Sequence, residues 1–387
     1  MRYPKVKCSE NLRIAWLLPS AFFYWQPVLS EFTKLFPNTV VYTGRWHGFA
    51  PGFENTFAIQ VVGERKNIAI TPASTGYGST FSYLSLKIVK YLLELKPHVV
   101  FSSSFGMWTV LALLLQPLGR WKVVIAYEGS SPSVDYRNSS VRLFLRRIMT
   151  QAASACITNS HAGKSYLIEF LGVPEDRIFT QPYEVPAAVA LSGSNEPTEV
   201  KVASLKHPIF LFVGGVIPRK GLQLLLEACV ILQNRGIHDY SLLIVGDGSQ
   251  RQNLQDFVQQ HHLEDQVEWA GRVEYGKLSA YFRMADVFVL PTLEDTWGMV
   301  VLEAMILGKP VLCSKWAGAV ELVLDGENGY SFDPQEPQKL AELMHRFIEN
   351  PDLIEAMGQR SQQLMMSNTP EDAAKFLAEV TSFAMNC

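Results

Sequence analysis

The chain is poor in the features that would place it outside the ordinary globular proteins. Its five cysteines, Cys8, Cys156, Cys229, Cys313 and Cys387, are scattered, odd in number and without a CxxC spacing. That excludes a disulfide framework and a cysteine-rich zinc site, and it suits reduced thiols in a cytosolic protein. No apolar run approaches the roughly 18 residues of a membrane span; the strongest, around 110–115, is far shorter. Excess positive charge is lacking too: 34 Lys and Arg against 37 Asp and Glu give a net charge of −3, which removes the electrostatic case for a nucleic-acid partner. No acidic cluster has metal-ligand spacing. The N-terminus carries Arg2, Lys5 and Lys7 ahead of an apolar patch, but Glu10 and Arg13 intrude, so an unprocessed chain is expected rather than a signal peptide. The expected location is cytoplasmic.

What is present is enough apolar material for two cores. Of 387 residues, 48% are hydrophobic and 18% charged, a length and balance that fit two domains. In the first half, strand-like segments at 13–18, 39–42, 98–101, 122–127 and 155–158 alternate with helical spacing at 26–35, 80–95 and 142–153. The stretch 184–207 breaks this rhythm with Pro186, Pro197, Ser192, Gly193, Ser194 and Asn195. The second half restarts it, with strands expected at 209–213, 241–245, 267–270, 287–290 and 310–314 and a helix at 222–234. Strands alternating with helices predict α/β architecture with doubly wound parallel sheets. The expected division is a first domain at 1–185, a linker at 186–207, a second domain at 208–366, and a C-terminal helix at 367–387 returning to the first domain. Thr369-Pro370-Glu371-Asp372 supplies that helix with a cap, a first-turn proline and acids.

One segment carries a chemical anomaly. Residues 298–307 are apolar almost all round, as in a fully buried helix, except for Glu303. No Lys or Arg lies close enough along the helix to pair with it, so its partner must come from elsewhere. Just before it stand Glu294 and Asp295, then Thr296, Trp297 and Gly298, a plausible cap and a bare-backbone turn whose amides would favour an anion. Gly246-Asp247-Gly248 invites a dinucleotide reading, but Ser249, Gln250 and Arg251 supply no third glycine.

The ordered set Val213-Gly214-Gly215, Arg219-Lys220-Gly221, Gly246-Asp247-Gly248, Gly271, Ala285-Asp286, Pro291, Asp295-x7-Glu303 and Gly308-x-Pro310 resembles the retaining family-4 glycosyltransferases of the GT-B fold. Gly318-x-x-Glu321 and the segment 325–329 extend the match, which spans about 209–332. The resemblance implies two Rossmann-like domains facing a cleft, an acceptor domain first and a nucleotide-sugar domain second. It implies that Glu303 holds ribose hydroxyls, which would supply its missing partner, and that Asp295, with Glu294 beside it, contacts the donor sugar. Asp295 departs from the family's Glu. Lys220 matches the family's diphosphate-binding Lys; the family's Arg five positions earlier is Gly215 here, with Arg219 as a replacement. Gly214, Gly215, Gly246, Arg272 and Trp297 would complete the donor site, with the Gly298, Met299 and Val300 amides on phosphate and no metal. Glu128 stands where many members have a His and is a candidate at the acceptor side, equally readable as a solvated loop acid.

The function implied is transfer of a sugar from a nucleoside diphosphate sugar, with retention, to a glycan, lipid-linked or small-molecule acceptor. No further cofactor is required. The alternatives are a non-catalytic subunit with a degenerate cleft and a sugar-nucleotide epimerase. Lys87, Lys90, Arg142, Arg146 and Arg147 could form a basic face for peripheral membrane contact, against the plainer reading of solvated helix cations.

Overall fold

The structure, a computed structural model, describes residues 11–64, 66–71, 77, 79–191 and 205–386. The expectations about the first ten residues and about 192–204 of the linker lie outside the described residues. The chain divides into two compact units: Met1–Pro72, Gly78–Val185 and Asn368–Cys387 form one, Ala73–Tyr77 and Pro186–Ser367 the other.

The first unit runs β1 (Arg13–Leu18), α1 (Gln26–Leu35), β2 (Asn38–Thr43), β3 (Ala58–Val61), β4 (Lys66–Thr71), β5 (Ser79–Tyr83), α2 (Ile88–Leu95), β6 (Val99–Ser103), α3 (Met107–Gly119), β7 (Lys122–Ala126), α4 (Pro132–Asp135), α5 (Ser140–Ala152), β8 (Ala155–Thr158), α6 (His161–Glu169) and β9 (Ile178–Thr180). Seven strands form a parallel sheet in the order β3-β2-β1-β6-β7-β8-β9, while β4 and β5 pair apart from it as an antiparallel hairpin. The period-two alternation of β1 sorts its side chains between the two faces. Ala15 and Leu17 join Ile88, Leu92, Trp108 and Ala112 from α2 and α3. Trp16 points the other way, stacking on Phe101 at 4.4 Å and meeting Phe32 of α1 edge-on at 6.0 Å.

The second unit runs β10 (Ile209–Val213), α7 (Leu222–Asn234), β11 (Ser241–Val245), α8 (Arg251–Gln260), β12 (Val267–Gly271), α9 (Leu278–Met284), β13 (Val287–Leu290), α10 (Met299–Ile306), β14 (Val311–Ser314), β15 (Gly329–Phe332), α11 (Pro337–Glu349) and α12 (Asp352–Met365). Its six strands are parallel in the order β12-β11-β10-β13-β14-β15. The central strands β10, β11 and β13 are buried along their whole length, which is why their sequences are unbroken apolar runs. The last helix, α13 (Pro370–Asn386), packs along α1 and against β6, β7 and β8.

The helix expected at 80–95 is corrected. Residues 79–83 are β5, paired with β4, and the helix begins only at Ile88. The local run Ser79-Thr80-Phe81-Ser82-Tyr83 alternates with period two and is rich in strand-forming types, and that preference wins over the helical spacing that begins further on.

At the C-terminal ends of β10, β11 and β12, three turns are stitched together. Gly214 N–H donates to Val245 O (2.9 Å) and Gly246 N–H to Gly271 O (2.7 Å). Gly246 has φ +144°, and a Cβ there would lie 1.8 Å from Gly214 O. Gly246→Ala is therefore expected to destabilise the protein by about 2–3 kcal/mol, read as a lowered midpoint in chemical denaturation.

Candidate functional site

The site is assembled from turns at the carboxyl ends of the second unit's strands, where doubly wound sheets bind ligands. After β10 the chain passes Gly214 and Gly215 and makes a single 3₁₀ turn over Pro218–Lys220. Gly221 then starts α7 with φ +66°; a Cβ there would meet Pro291 O at 2.1 Å, so only glycine lets this turn lie against the end of β13. The two loops are pinned to each other by Thr292, whose hydroxyl donates to Arg219 O and Glu294 O, both at 3.0 Å, and by Leu293 N–H on Arg219 O at 2.8 Å.

This pinning brings the predicted cations and acid together. The Lys220 ammonium is ion-paired with Asp295 Oδ2. Arg219 Nη1 donates to Glu294 O at 2.6 Å and lies 3.8 Å from the same Asp295 oxygen. Asp295 is itself held by its backbone, N–H to Trp316 O (3.0 Å) and C=O from Gly318 N–H (3.1 Å). Burial is the largest single influence on its carboxyl and pushes the pKa up. The Lys220 and Arg219 charges, with hydrogen bonds from Lys220 and Tyr77, outweigh it and hold Asp295 below the usual range.

Tyr77, counted with the second unit, completes this cluster. Its hydroxyl donates to Asp295 Oδ1 at 3.2 Å, accepts from Thr296 N–H at 3.1 Å, and lies 3.3 Å from the Thr296 hydroxyl. The Arg219 guanidinium stacks over its ring, 3.9 Å from the centroid. No signal in the sequence pointed to Tyr77, which stands in an uncharged run of Ser, Thr and Gly far from the second-half motifs.

Next to the Lys220 turn lies a cavity of about 480 Å³ lined by Gly214, Gly215, Gly246, Gly248, Arg272 and Leu278, among others. A Cβ on Gly214 would stand 3.9 Å from the Lys220 side chain, so the lysine passes along the edge of this glycine loop. Four expected donor-site positions thus line one hollow.

α10 begins at Gly298, whose φ of +97° and lack of any side-chain cap correct the expectation of a capping residue: the entry is bare backbone, followed by Met299 and Val300 in the first turn. The buried Trp297 fixes this entry, its carbonyl accepting from Ala319 N–H at 2.7 Å. Glu303 is only 5% exposed. The neighbour the sequence could not name is Tyr275, from the 3₁₀ turn Tyr275–Lys277, whose hydroxyl acts electrostatically on the carboxyl. The lysine nearest in sequence, Lys309, is engaged elsewhere, on Ala285 O at 2.7 Å. Burial raises the Glu303 pKa to about 7, with the Tyr275 hydroxyl acting in the opposite direction.

That shift has a signed consequence for stability. From about pH 4.5 to about pH 7 the folded carboxyl keeps its proton while the unfolded one loses it, so the folded state binds more protons and this group's contribution falls as pH rises. Chemical denaturation at about pH 5 and about pH 8 should show wild type losing more stability over that interval than Glu303→Gln.

Glu128 lies in the first unit, just beyond β7, and accepts from the Ser103 hydroxyl at 3.3 Å. Asn159 Nδ2 donates to Glu128 O and to Glu184 Oε2, each at 3.0 Å. Burial, and next the Glu128 charge, raise the Glu184 pKa well above the ordinary carboxyl value. Glu128 is thus part of a polar row across the ends of β6 to β9. The expected basic face is not formed as read: Arg146 is buried, donating to Asp135 O, Val134 O and Tyr166 Oη. Among the described residues, no group of three His, Cys, Asp or Glu side chains is placed to hold a metal.

Comparison with known proteins agrees with this architecture. The family model described as Glycosyltransferase Family 4 matches residues 39–182, and that described as Glycosyl transferases group 1 matches residues 195–364. The chain is 28% identical over 174 residues to an alpha-D-kanosaminyltransferase of Streptomyces kanamyceticus, covering 43% of this chain and 45% of that protein. It is 26% identical over 258 residues to a D-inositol 3-phosphate glycosyltransferase of Paenarthrobacter aurescens, covering 65% and 62%. The chain thus spans about half the length of the curated relatives it matches. Among solved structures, Anabaena Alr3699/HepE in complex with UDP superposes with a TM-score of 0.73 at 18% identity, over 96% of this chain and 100% of that one.

Proposed function

Since the chain belongs to the glycosyl transferases group 1 family and has the GT-B fold of two Rossmann-like units, we propose that it transfers a hexosyl group from a nucleoside diphosphate sugar with retention of configuration. The observation that carries this reading is the placement of Lys220, Arg219 and Asp295 on turns that adjoin the glycine-lined cavity, with a buried Glu303 in the same unit.

In this reading the nucleoside diphosphate occupies the glycine-lined hollow, and the Glu303 carboxylate accepts hydrogen bonds from two ribose hydroxyls, an arrangement suited to the two oxygens of one acid. Lys220 and Arg219 turn from Asp295 to the diphosphate, aided by the first-turn amides of α10 at Gly298, Met299 and Val300. The bond from the anomeric carbon to the phosphate oxygen breaks while the bond to the acceptor oxygen forms, and the acceptor's proton passes to the departing phosphate. Asp295, relieved of its cation, steadies the positive charge that develops on the sugar ring.

The acceptor, a glycan, a lipid-linked intermediate or a small polar molecule, is assigned to the first unit, with Glu128 at the end of β7 as a contact. The setting proposed is cytoplasmic polysaccharide, glycolipid or glycoconjugate synthesis. The test is calorimetry of the full chain with a panel of nucleoside diphosphates and their sugars. At least one should bind, and its affinity should rise with pH through about 7 as Glu303 ionises. Failure of every nucleotide to bind would sink the assignment.

A further inference from the structure

Singly scattered apolar side chains are ordinary on a protein surface; a concentrated set is not. Seven of the seventeen exposed large hydrophobic residues described here belong to just two helices, α3 and α5. On α3 they are Val110, Leu114 and Leu118, the last two 70% and 71% exposed. Their spacing of four places them in one row along the outer side of the helix. On α5 they are Val141, Phe144, Leu145 and Ile148, a second outward stripe at the i, i+3, i+4, i+7 positions. The two helices touch each other, and Leu113 and Leu143, on their inner sides, pack against the same core cluster. Both rows therefore lie on one side of the first unit.

Charge decides what this surface fits. α3 contains no charged residue, and the only charges of α5 are Arg142, Arg146 and Arg147. Arg146 is buried, so the border is made by Arg142, Arg147 and the exposed Arg120 just past α3. Arg142 is held over the Tyr136 ring at 3.7 Å and Arg147 against Phe170 O at 2.9 Å, which fixes both beside the apolar stripe. The nearby Asp135 is buried and neutralised by Arg137. Two apolar rows bordered by arginine, on helices without an acid, match the boundary between acyl chains and anionic headgroups. We propose that the α3/α5 face is a docking surface for an anionic membrane, with Phe144, Leu145, Ile148 and the α3 leucines entering the acyl boundary and Arg142 and Arg147 meeting lipid phosphates. None of the described helices is long and apolar enough to cross a membrane, so this contact would be peripheral.

The proposal stands independently of the nucleotide-sugar reading and is tested on the full chain. Vesicles of phosphatidylcholine alone, or mixed with phosphatidylglycerol, are sedimented with wild type, with Phe144→Ser/Ile148→Ser and with Arg147→Glu. Wild type should sediment with the anionic vesicles and release at high salt; the double serine variant should lose at least about tenfold in binding, and Arg147→Glu should lose the preference for anionic lipid. Nucleotide affinity by calorimetry and thermal midpoints should be unchanged in the variants. Absence of vesicle binding by wild type would overturn the proposal, as would equal binding by the double serine variant. So would a concentration-dependent dimer, formed without vesicles and abolished by that variant, because the face would then be covered by a second copy of the chain.

Discussion

Lys220→Ala is expected to lower kcat for sugar transfer by about 10²- to 10³-fold, the usual cost of removing one positioned charge from a site where an anion develops. KM for the donor should change much less, because Arg219, the glycine loop and Glu303 still hold the nucleotide. The structure adds a side effect. Asp295 is 7% exposed and would be left with Arg219 at 3.8 Å as its nearest cation, so its pKa should rise and some stability be lost. Lys220→Arg separates the two effects. It keeps the charge and so should restore folding stability, yet recover only part of kcat, since a planar guanidinium cannot reproduce the position of the ammonium. Steady-state kinetics with denaturation curves measure both; unchanged kcat in Lys220→Ala would remove Lys220 from the chemistry.

Glu303→Ala is expected to weaken donor binding by about 10²-fold, from the loss of charge-assisted hydrogen bonds worth about 1.5–3 kcal/mol each, partly offset by water entering the space. Glu303→Gln keeps the shape and the Tyr275 contact but has no charge, and should lose about tenfold. Tyr275→Phe removes a hydroxyl whose influence lowers the Glu303 pKa, so it should raise the carboxyl's pKa and shift the rise in donor affinity to higher pH. Calorimetry across pH tests all three, and an alanine variant that binds like wild type would leave Glu303 a purely structural residue.

The second unit was the more legible in sequence because its central strands are buried on both faces and end in glycines. Residues 209–213, 241–245 and 287–290 read as strands and are strands to the residue, and the helix at 222–234 is bounded as read. β3, β9 and the β4/β5 hairpin were missed because they are short or lie outside the main alternation. α3 was seen only as an apolar run. With no charged residue it has no polar stripe to betray a helix, although Leu114 and Leu118 face solvent.

In the site, glycine turns and charged types could be read from spacing, whereas contacts made across long sequence separations could not. Lys220 and Asp295 are 75 residues apart and Tyr77 and Asp295 are 218. The anomaly of a buried Glu303 was legible; that Tyr275 is the residue acting on its carboxyl was not, since nothing marks one tyrosine among fourteen for that place.

α13 bears on how the polypeptide is made. Its buried residues, among them Phe376, Leu377 and Val380, complete packing against α1 and three strands of a sheet whose own strands were synthesised before the second unit began. On the ribosome the second unit, continuous from Pro186 apart from the short 73–77 segment, has all its strands and helices available before α13 emerges. The first unit must wait, with the face of α1 uncovered, through nearly two hundred residues of further elongation. The order of completion is thus the reverse of the order of synthesis, and until α13 emerges the first unit keeps an apolar face uncovered, the condition in which nascent domains are prone to aggregate.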